Sequence, residues 1–150
     1  MRIRIYTDGS CKDNIGGWAI VIADKDKIKV KSGSKKDTTN NQMELVAVLN
    51  ALEYAVRKHL KNIEILTDSF YVLNGIQKYV NIWKDNDWIG LSGEQIKYKS
   101  QWEGILIMLK CLEENRFAVK FSKVRSHSGI SLNELADIEA RKAIKAYKEK

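Results

Sequence analysis

The stretch "RIRIYTDGSC" (residues 2–11) organises the chain, because its alternating residues predict a strand that closes in Thr-Asp before Gly-Ser-Cys. The run "GWAIVIA" (17–23) predicts a buried strand, and "KIKVKSG" (27–33) alternates again. Only short polar joins separate the three segments. We therefore expect an antiparallel meander at the start of the chain.

Helical spacing of apolar residues replaces this alternation from Asn40 to about Lys58. Polar residues that can supply an N-cap oxygen precede or open this helix: Thr39, Asn40 and Asn41. The next segment, "NIEILTD" (62–68), predicts a strand with the same Thr-Asp ending as the first. A helix between the meander and this strand implies a crossover that makes the two Thr-Asp strands parallel.

The second half of the chain continues as helices and one more strand. Two or three helical segments are expected through about Asn115 around a loop at 89–95, then a strand at 116–124 and a helix from about Ser131 to Tyr147. The predicted order is β-β-β-α-β-α-β-α, an α/β fold. Ligands of such sheets gather at the carboxyl ends of the parallel strands, where Asp8 and Asp68 should be neighbours.

Composition limits the class of protein. The chain has 150 residues, which suits a single domain (1–150), and 26 Lys and Arg against 19 Asp and Glu give a net charge of +7. This charge suits a polyanionic partner, although a merely soluble basic surface explains it too. The absence of a long apolar run predicts no membrane span, and the absence of a signal-peptide pattern predicts a cytoplasmic protein. We expect Cys11 and Cys111 to be reduced thiols.

Two further acids can join Asp8 and Asp68 at the sheet edge. Glu44 is expected in the first turn of the first helix, and Asp137 in the first half of the last. Each has a plainer explanation, since Glu44 suits a helix dipole and Asp137 a solvated face. Four clustered carboxylates need a cation, and two Mg²⁺ ions about 4 Å apart support in-line displacement at phosphorus. The pattern therefore suggests phosphodiester hydrolysis.

The motifs that carry these acids resemble those of the type 1 ribonuclease H family, the bacterial type, in order and spacing. They are "TDGSC" (7–11), "TTNNQMEL" (38–45), "TDSFYV" (67–72) and "VRSHSGISLNELAD" (124–137). The resemblance covers nearly the whole chain and includes "GIQKYVNIWKDNDW" (75–88), which looks like the family's basic protrusion, here about 79–98. It implies a five-stranded mixed sheet flanked by helices.

The resemblance also implies an activity: endonucleolytic cleavage of the RNA strand of RNA–DNA hybrids that leaves 5′-phosphate and 3′-hydroxyl ends. Asp8, Glu44, Asp68 and Asp137 match the family's metal-binding acids, for two Mg²⁺ ions with Mn²⁺ as a substitute. His127 matches a loop histidine that moves protons or assists product release. The unperturbed pKa of a histidine side chain lies near neutrality, which suits proton transfer. An exposed loop histidine without a task is the alternative.

Substrate-binding residues are likewise implied by the resemblance. Cys11, Asn14, Asn40 and Asn41 match residues that line the minor groove of the hybrid, although both helix asparagines suit a capping role as well. Thr39 matches a residue of a DNA-phosphate pocket. Tyr79 and Trp83 match aromatic residues that pack on deoxyribose, with core packing as the alternative.

The chain departs from the family pattern in that DNA-phosphate pocket and in the protrusion. Asp37 stands where an arginine is frequent, Tyr98 replaces an asparagine, and Asp85 and Asp87 dilute the charge of the protrusion. These departures concern affinity and leave the acids intact. Two other hypotheses stay open: a non-catalytic nucleic-acid-binding module, and an excised nuclease domain of a reverse transcriptase or an integrase-like enzyme. We expect a monomer.

Overall fold

A computed structural model of the protein describes residues 2–124 and 131–147. Its five strands within these ranges are β1 (Ile3–Lys12), β2 (Ile15–Asp24), β3 (Lys27–Lys36), β4 (Asn62–Thr67) and β5 (Ala118–Lys123). Its α-helices within the same ranges are α1 (Asn40–Arg57), α2 (Phe70–Asn74), α3 (Val80–Asp85), α4 (Lys99–Glu114) and α5 (Ser131–Ala146). A π-helical turn, Gly75–Tyr79, joins α2 to α3.

The strands form one mixed sheet in the order β3-β2-β1-β4-β5. The first three strands pair antiparallel, whereas β1 pairs parallel with β4 and β4 pairs parallel with β5. The predicted meander, the crossover through α1 and the α/β class are therefore confirmed. The carboxyl ends of β1 and β4 lie at the same edge of the sheet, as the crossover requires.

The first strand does not end at Asp8, so that part of the prediction is wrong. Its parallel pairing with β4 stops at Tyr6 opposite Leu66, but its antiparallel pairing with β2 continues to Lys12 opposite Ile15. Asp8 therefore sits inside β1, opposite Ala19, just beyond the point where β4 departs. The side of β1 that β4 leaves open is the position from which ligands can approach.

Helices cover both faces of the sheet. One face, under α1 and α4, buries a large core that includes Ile5, Leu45, Leu52, Ile65 and Trp102. The other face, under α5, buries a smaller cluster of Tyr6, Val21, Val124 and Ala136. Complete burial of each large aliphatic side chain contributes about 1.5–3 kcal/mol. The sheet is therefore a stable platform between the helices that carry the remaining acids.

The segment between β4 and α4 is built on aromatic packing. Gly75 opens the π-helical turn and lies so close to Trp102 that a Cβ atom there would overlap the indole ring. Trp83 of α3 packs edge-on against the same indole, with ring centroids 5.5 Å apart. The predicted helices are present, and an isolated β-bridge between Ile89 and Gln95 closes the predicted loop.

Two smaller expectations can be compared with the described residues. Cys11 and Cys111 are both free thiols, as expected. None of the helices within residues 2–124 and 131–147 combines the length and the apolar character that a membrane span requires.

Candidate active site

Asp8 is a nearly buried carboxylate at the centre of the sheet edge, with only 7% of its surface exposed. The backbone N–H of Gly9 donates to its Oδ1 atom at 3.0 Å. Thr7, the preceding residue, donates from its hydroxyl to the Leu66 carbonyl at 3.3 Å and so ties β1 to β4 where their pairing ends. The carboxylate is thus fixed in position on the open side of β1.

Asp68 lies in the tight connection between β4 and α2. The Thr67 side chain accepts a hydrogen bond from the Ser69 N–H at 3.1 Å, and the Ser69 hydroxyl caps α2 by accepting from the Val72 N–H at 3.2 Å. Thr67 and Ser69 are both buried, whereas Asp68 between them is half-buried. The strand-to-helix connection therefore fixes the backbone from which Asp68 extends.

Glu44 approaches Asp8 from α1. Thr39 is the N-cap of this helix and accepts from the Gln42 N–H at 3.2 Å, so Glu44 lies in the second turn rather than the expected first. A helix dipole acts mainly within the first turn, which makes the dipole explanation wrong for Glu44. A Cβ atom at Gly9 would overlap the Met43 and Glu44 backbone. The glycine thus permits α1 to contact β1 at this position.

Asp137 reaches the same place from α5, seven residues into the helix as expected. Its Oδ2 atom forms an ion pair of 2.9 Å with Arg141, one turn further along α5. Asn133, one turn earlier, is a buried polar residue with 7% of its surface exposed. These three residues lie on one side of α5 because their spacing is four.

Together the acids form one constellation. Single oxygens of Asp8, Glu44 and Asp68 all lie within 4.8 Å of one another. These acids line a pocket of about 310 Å³ together with Asp137. Gly9, Ser10, Asn40, Asn133 and Glu134 complete its lining. Four carboxylates from four separate segments of the chain therefore converge on one polar pocket at the carboxyl ends of the parallel strands, and Glu134 of α5 is a fifth carboxylate in its lining.

The electrostatics of this pocket are unfavourable in the absence of a cation. The pKa of Asp8 is raised from its usual 3.8 to about 7, mainly by burial and next by repulsion from Asp68 and Asp137. The pKa of Glu44 is raised well above its usual range, again mainly by burial and next by repulsion from Asp8 and Asp68. Desolvation and like charges both disfavour the ionised form of a carboxyl group, so both effects act in the same direction here.

The residues present fit a hard divalent cation. Glu44 Oε1 is a buried oxygen that has no hydrogen-bond partner among the described residues, although buried polar atoms are nearly always paired. Carboxylate oxygens are the ligands that Mg²⁺ prefers. A cation among the three clustered acids would give the unpaired oxygen a partner and cancel the repulsion.

The predicted minor-groove residues lie around the pocket, but only one of them lines it. Asn40 is part of the pocket wall. The Cys11 thiol donates to the Thr38 carbonyl at 3.4 Å, and the Asn14 carbonyl accepts from the Thr38 N–H at 3.3 Å. Asn41 is exposed on the first turn of α1. Since Thr39 is the N-cap, the capping explanation of the two helix asparagines is wrong.

The other predicted substrate residues do not line the pocket. Thr39 shares a 2.6 Å hydrogen bond with the Tyr98 hydroxyl, which brings the unusual tyrosine directly to the cap of α1. Tyr79 is 44% exposed and stacks on Trp83 with ring centroids 5.7 Å apart. Trp83 is half-buried against Trp102, so core packing explains Trp83 but not Tyr79.

Four pocket residues were not singled out as site residues from the sequence: Gly9, Ser10, Asn133 and Glu134. The signal for Asn133 was present, since it stands four residues before Asp137 and must share its side of a helix. Ser10 follows Asp8 by two residues and therefore points to the same face of β1. The predicted His127 lies outside the described residues.

Comparison with known sequences gives consistent matches along the chain. The model of the RNase H family matches residues 1–145. A ribonuclease H of Francisella tularensis subsp. novicida is 40% identical over 145 residues, which are 95% of this chain and 91% of that protein. A ribonuclease H of Wolbachia sp. subsp. Drosophila simulans is 40% identical over 144 residues, 95% of this chain and 94% of that protein.

Solved structures share the fold. The crystal structure of LC9-RNase H1, described as a type 1 RNase H with the type 2 active-site motif, is 27% identical with a TM-score of 0.79, over 98% of this chain and 74% of that one. The solution structure of the PFV RNase H domain is 25% identical with a TM-score of 0.73, over 95% of this chain and 94% of that one.

Proposed function

The chain belongs to the RNase H family, and from this premise we propose that it hydrolyses the RNA strand of RNA–DNA hybrids with the help of two Mg²⁺ ions. The proposed products carry 5′-phosphate and 3′-hydroxyl ends. One observation carries the proposal: oxygens of Asp8, Glu44 and Asp68 lie within 4.8 Å of one another, at the edge where parallel strands end. A surface that only bound phosphates would gain nothing from clustered negative charge.

The four acids have distinct tasks in this proposal. Asp8 and Asp68 would share or flank the two cations, Glu44 would hold one of them, and Asp137 would complete the second site. When bound, such cations activate a water molecule and stabilise the leaving oxygen of an in-line displacement. The Gly9 N–H keeps Asp8 oriented, and Arg141 keeps Asp137 at the rim of the pocket. His127 would move a proton or assist product release.

Discrimination between RNA and DNA requires polar groups near the ribose 2′-hydroxyl. Asn40, Ser10 and Asn133 line the pocket beside the acids and are polar candidates for this contact, with Cys11 next along β1. On the DNA side, the exposed face of Tyr79 is available to a deoxyribose, while Trp83 beneath it is anchored on Trp102. Both strands of a hybrid would thus have a surface of their own.

A cleavage assay tests the proposal. Labelled hybrid, RNA duplex and DNA duplex of one sequence are incubated with the protein and Mg²⁺, and the fragment ends are analysed. We expect cleavage only of the RNA strand of the hybrid. Equal cleavage of the RNA and DNA duplexes would contradict the proposed specificity, and tight hybrid binding without any Mg²⁺-dependent cleavage would favour a binding module.

Metal affinity should depend on pH around neutrality. A carboxyl group must lose its proton to bind a cation, and the pKa of Asp8 is raised to about 7 by burial and like charges. Between pH 8 and pH 6 we therefore expect the affinity for Mg²⁺ or Mn²⁺ to fall roughly tenfold for this one proton. Isothermal titration calorimetry in two buffers of different ionisation enthalpy measures both the affinity and the released proton. Equal affinities at the two pH values would contradict the expectation.

A further inference from the structure

A groove of about 580 Å³ lies beside the pocket of the four acids, between the end of β1 and the outer side of α5. We call it the α5 groove, and the lining residues that matter here are Ser10, Lys12, Ile138, Arg141, Lys142 and Lys145. Ser10 also lines the pocket of the acids, so the two depressions share a wall. A strand that leaves the acids on this side would enter the groove.

The charge of the α5 groove is positive, and part of it is not neutralised. Arg141 pairs with Asp137 at 2.9 Å, and Lys142 pairs with Glu139 at 3.6 Å. Lys12 and Lys145 are exposed and form no ion pair with any carboxylate within residues 2–124 and 131–147. Two free ammonium groups on the rim of a groove are suited to phosphate oxygens.

The length of the groove sets how much of a strand it accommodates. Eight residues of α5 separate Asp137 from Lys145, which corresponds to about 12 Å along the helix axis. Successive phosphates of one strand lie about 3.4 Å apart along a duplex axis, so a strand that followed α5 over this distance would place roughly three or four nucleotides there. The exposed side chain of Ile138 gives its floor an apolar element that suits sugar rings.

We infer that the α5 groove binds the backbone of the cleaved RNA strand over the three or four nucleotides next to the scissile phosphate, with Lys12 and Lys145 as phosphate ligands. The inference rests on the proposed function, because it takes the strand that passes Asp8 and Ser10 to be the cleaved one. Arg141 links the groove to the acids through Asp137, so it is left unchanged in the test.

The first test is hybrid binding without divalent cations, measured by fluorescence anisotropy at salt concentrations between 50 and 200 mM. For the double variant Lys12→Gln/Lys145→Gln we expect roughly tenfold weaker binding and a salt dependence reduced by about two phosphate contacts. The double variant Lys110→Gln/Arg116→Gln removes the same charge from exposed positions at the end of α4 and should match the wild type. An equal loss in both double variants would overturn the inference, since it would reflect net charge alone.

The second test is cleavage of hybrids of different length with Mg²⁺. For hybrids that extend at least four nucleotides on both sides of the cleaved bond, KM of Lys12→Gln/Lys145→Gln should rise roughly tenfold at unchanged kcat. Truncation on the groove side should remove the difference, and comparison of the two truncations identifies that side. A role of Lys145 limited to the helix dipole would alter thermal stability slightly and leave KM unchanged.

The two proposals fail in different ways. If the wild type cleaves hybrids and the Lys12/Lys145 double variant behaves like its control, the groove is not a nucleic-acid site and the proposed function stands. If the wild type cleaves no hybrid but its binding depends on Lys12 and Lys145, the proposed function fails. In that case the groove is still a nucleic-acid site.

Discussion

Asp8→Asn should lower kcat/KM for hybrid cleavage at least a thousandfold, equivalent to about 4 kcal/mol of transition-state stabilisation. Asp8 is the acid whose pKa is raised by both Asp68 and Asp137, so its charge acts on both of these carboxylates. Asparagine has the same shape but lacks the charge that balances a divalent cation. Single-turnover cleavage with protein in excess of hybrid but below saturation measures this kcat/KM.

The same substitution should stabilise the metal-free protein at high pH. The pKa of Asp8 is about 7 in the folded protein against 3.8 ordinarily, so the native state holds a proton that the unfolded chain releases between these values. The free-energy contribution of this group is complete below pH 3.8 and is lost as the pH rises through 7. Asparagine does not ionise, so the variant does not lose this stability at high pH. We expect Tm at pH 8 to rise by about 2–4 °C for each kcal/mol of unfolding free energy regained.

Two comparisons make the result specific. At pH 5 the gain from Asp8→Asn should shrink, because wild-type Asp8 is already protonated there. Asp26→Asn, in the exposed turn between β2 and β3, serves as the matched control and should alter neither cleavage nor Tm by a comparable amount. Asp8→Asn activity within tenfold of the wild type would refute the catalytic role, and an unchanged Tm at pH 8 would refute the electrostatic explanation.

Gly9→Ala should impair both stability and cleavage although it adds only one methyl group. The new Cβ atom would overlap the backbone of Met43 and Glu44, which cannot move unless α1 moves away from β1. Overpacking of this kind costs about 1–3 kcal/mol, and thus roughly 2–12 °C in Tm. A displacement of Glu44 by about 1 Å should reduce kcat/KM on the order of a hundredfold.

Gly104→Ala is the matched control for this effect. Gly104 lies within α4, and the atoms nearest to a Cβ atom there would be side-chain atoms of Leu49, the first of them at 3.1 Å. Side-chain atoms can adjust, and alanine favours a helix interior by about 1 kcal/mol over glycine. We expect Gly104→Ala to keep wild-type kcat/KM and a Tm near that of the wild type. A Gly9→Ala protein with normal kcat/KM would show that the spacing between α1 and β1 is not needed for catalysis.

Local pattern carried much of the prediction because it reports which faces of each element are buried. The alternation in 2–8, the apolar run in 17–23 and the helical spacing from Asn40 predicted the meander and the first crossover. Connections between parallel strands are short and right-handed, and this rule then placed the two Thr-Asp pairs at one edge of the sheet. The structure has this topology in full.

Other features depended on interactions that a local pattern does not contain. The extension of β1 to Lys12 follows from pairing with β2, because the glycines at 16 and 17 continue the ladder where no hydrophobic alternation signals a strand. The place of Glu44 in the second turn depended on which of three consecutive polar residues capped the helix, and Thr39 does so. The link between Thr39 and Tyr98 joins residues 59 positions apart, which no periodicity indicates.

The sequence by itself determined the types of element and their order, because these follow from the period of the apolar residues and the connection rules of parallel strands. The four acids as a set came from the resemblance to the type 1 ribonuclease H family. Only the tertiary structure decided that three carboxylates share one space of 4.8 Å, that Glu44 Oε1 is buried without a partner, and that Lys12 and Lys145 border one groove. The physical reason is that these residues lie far apart along the chain. Burial and charge repulsion depend on side chains that only folding brings together.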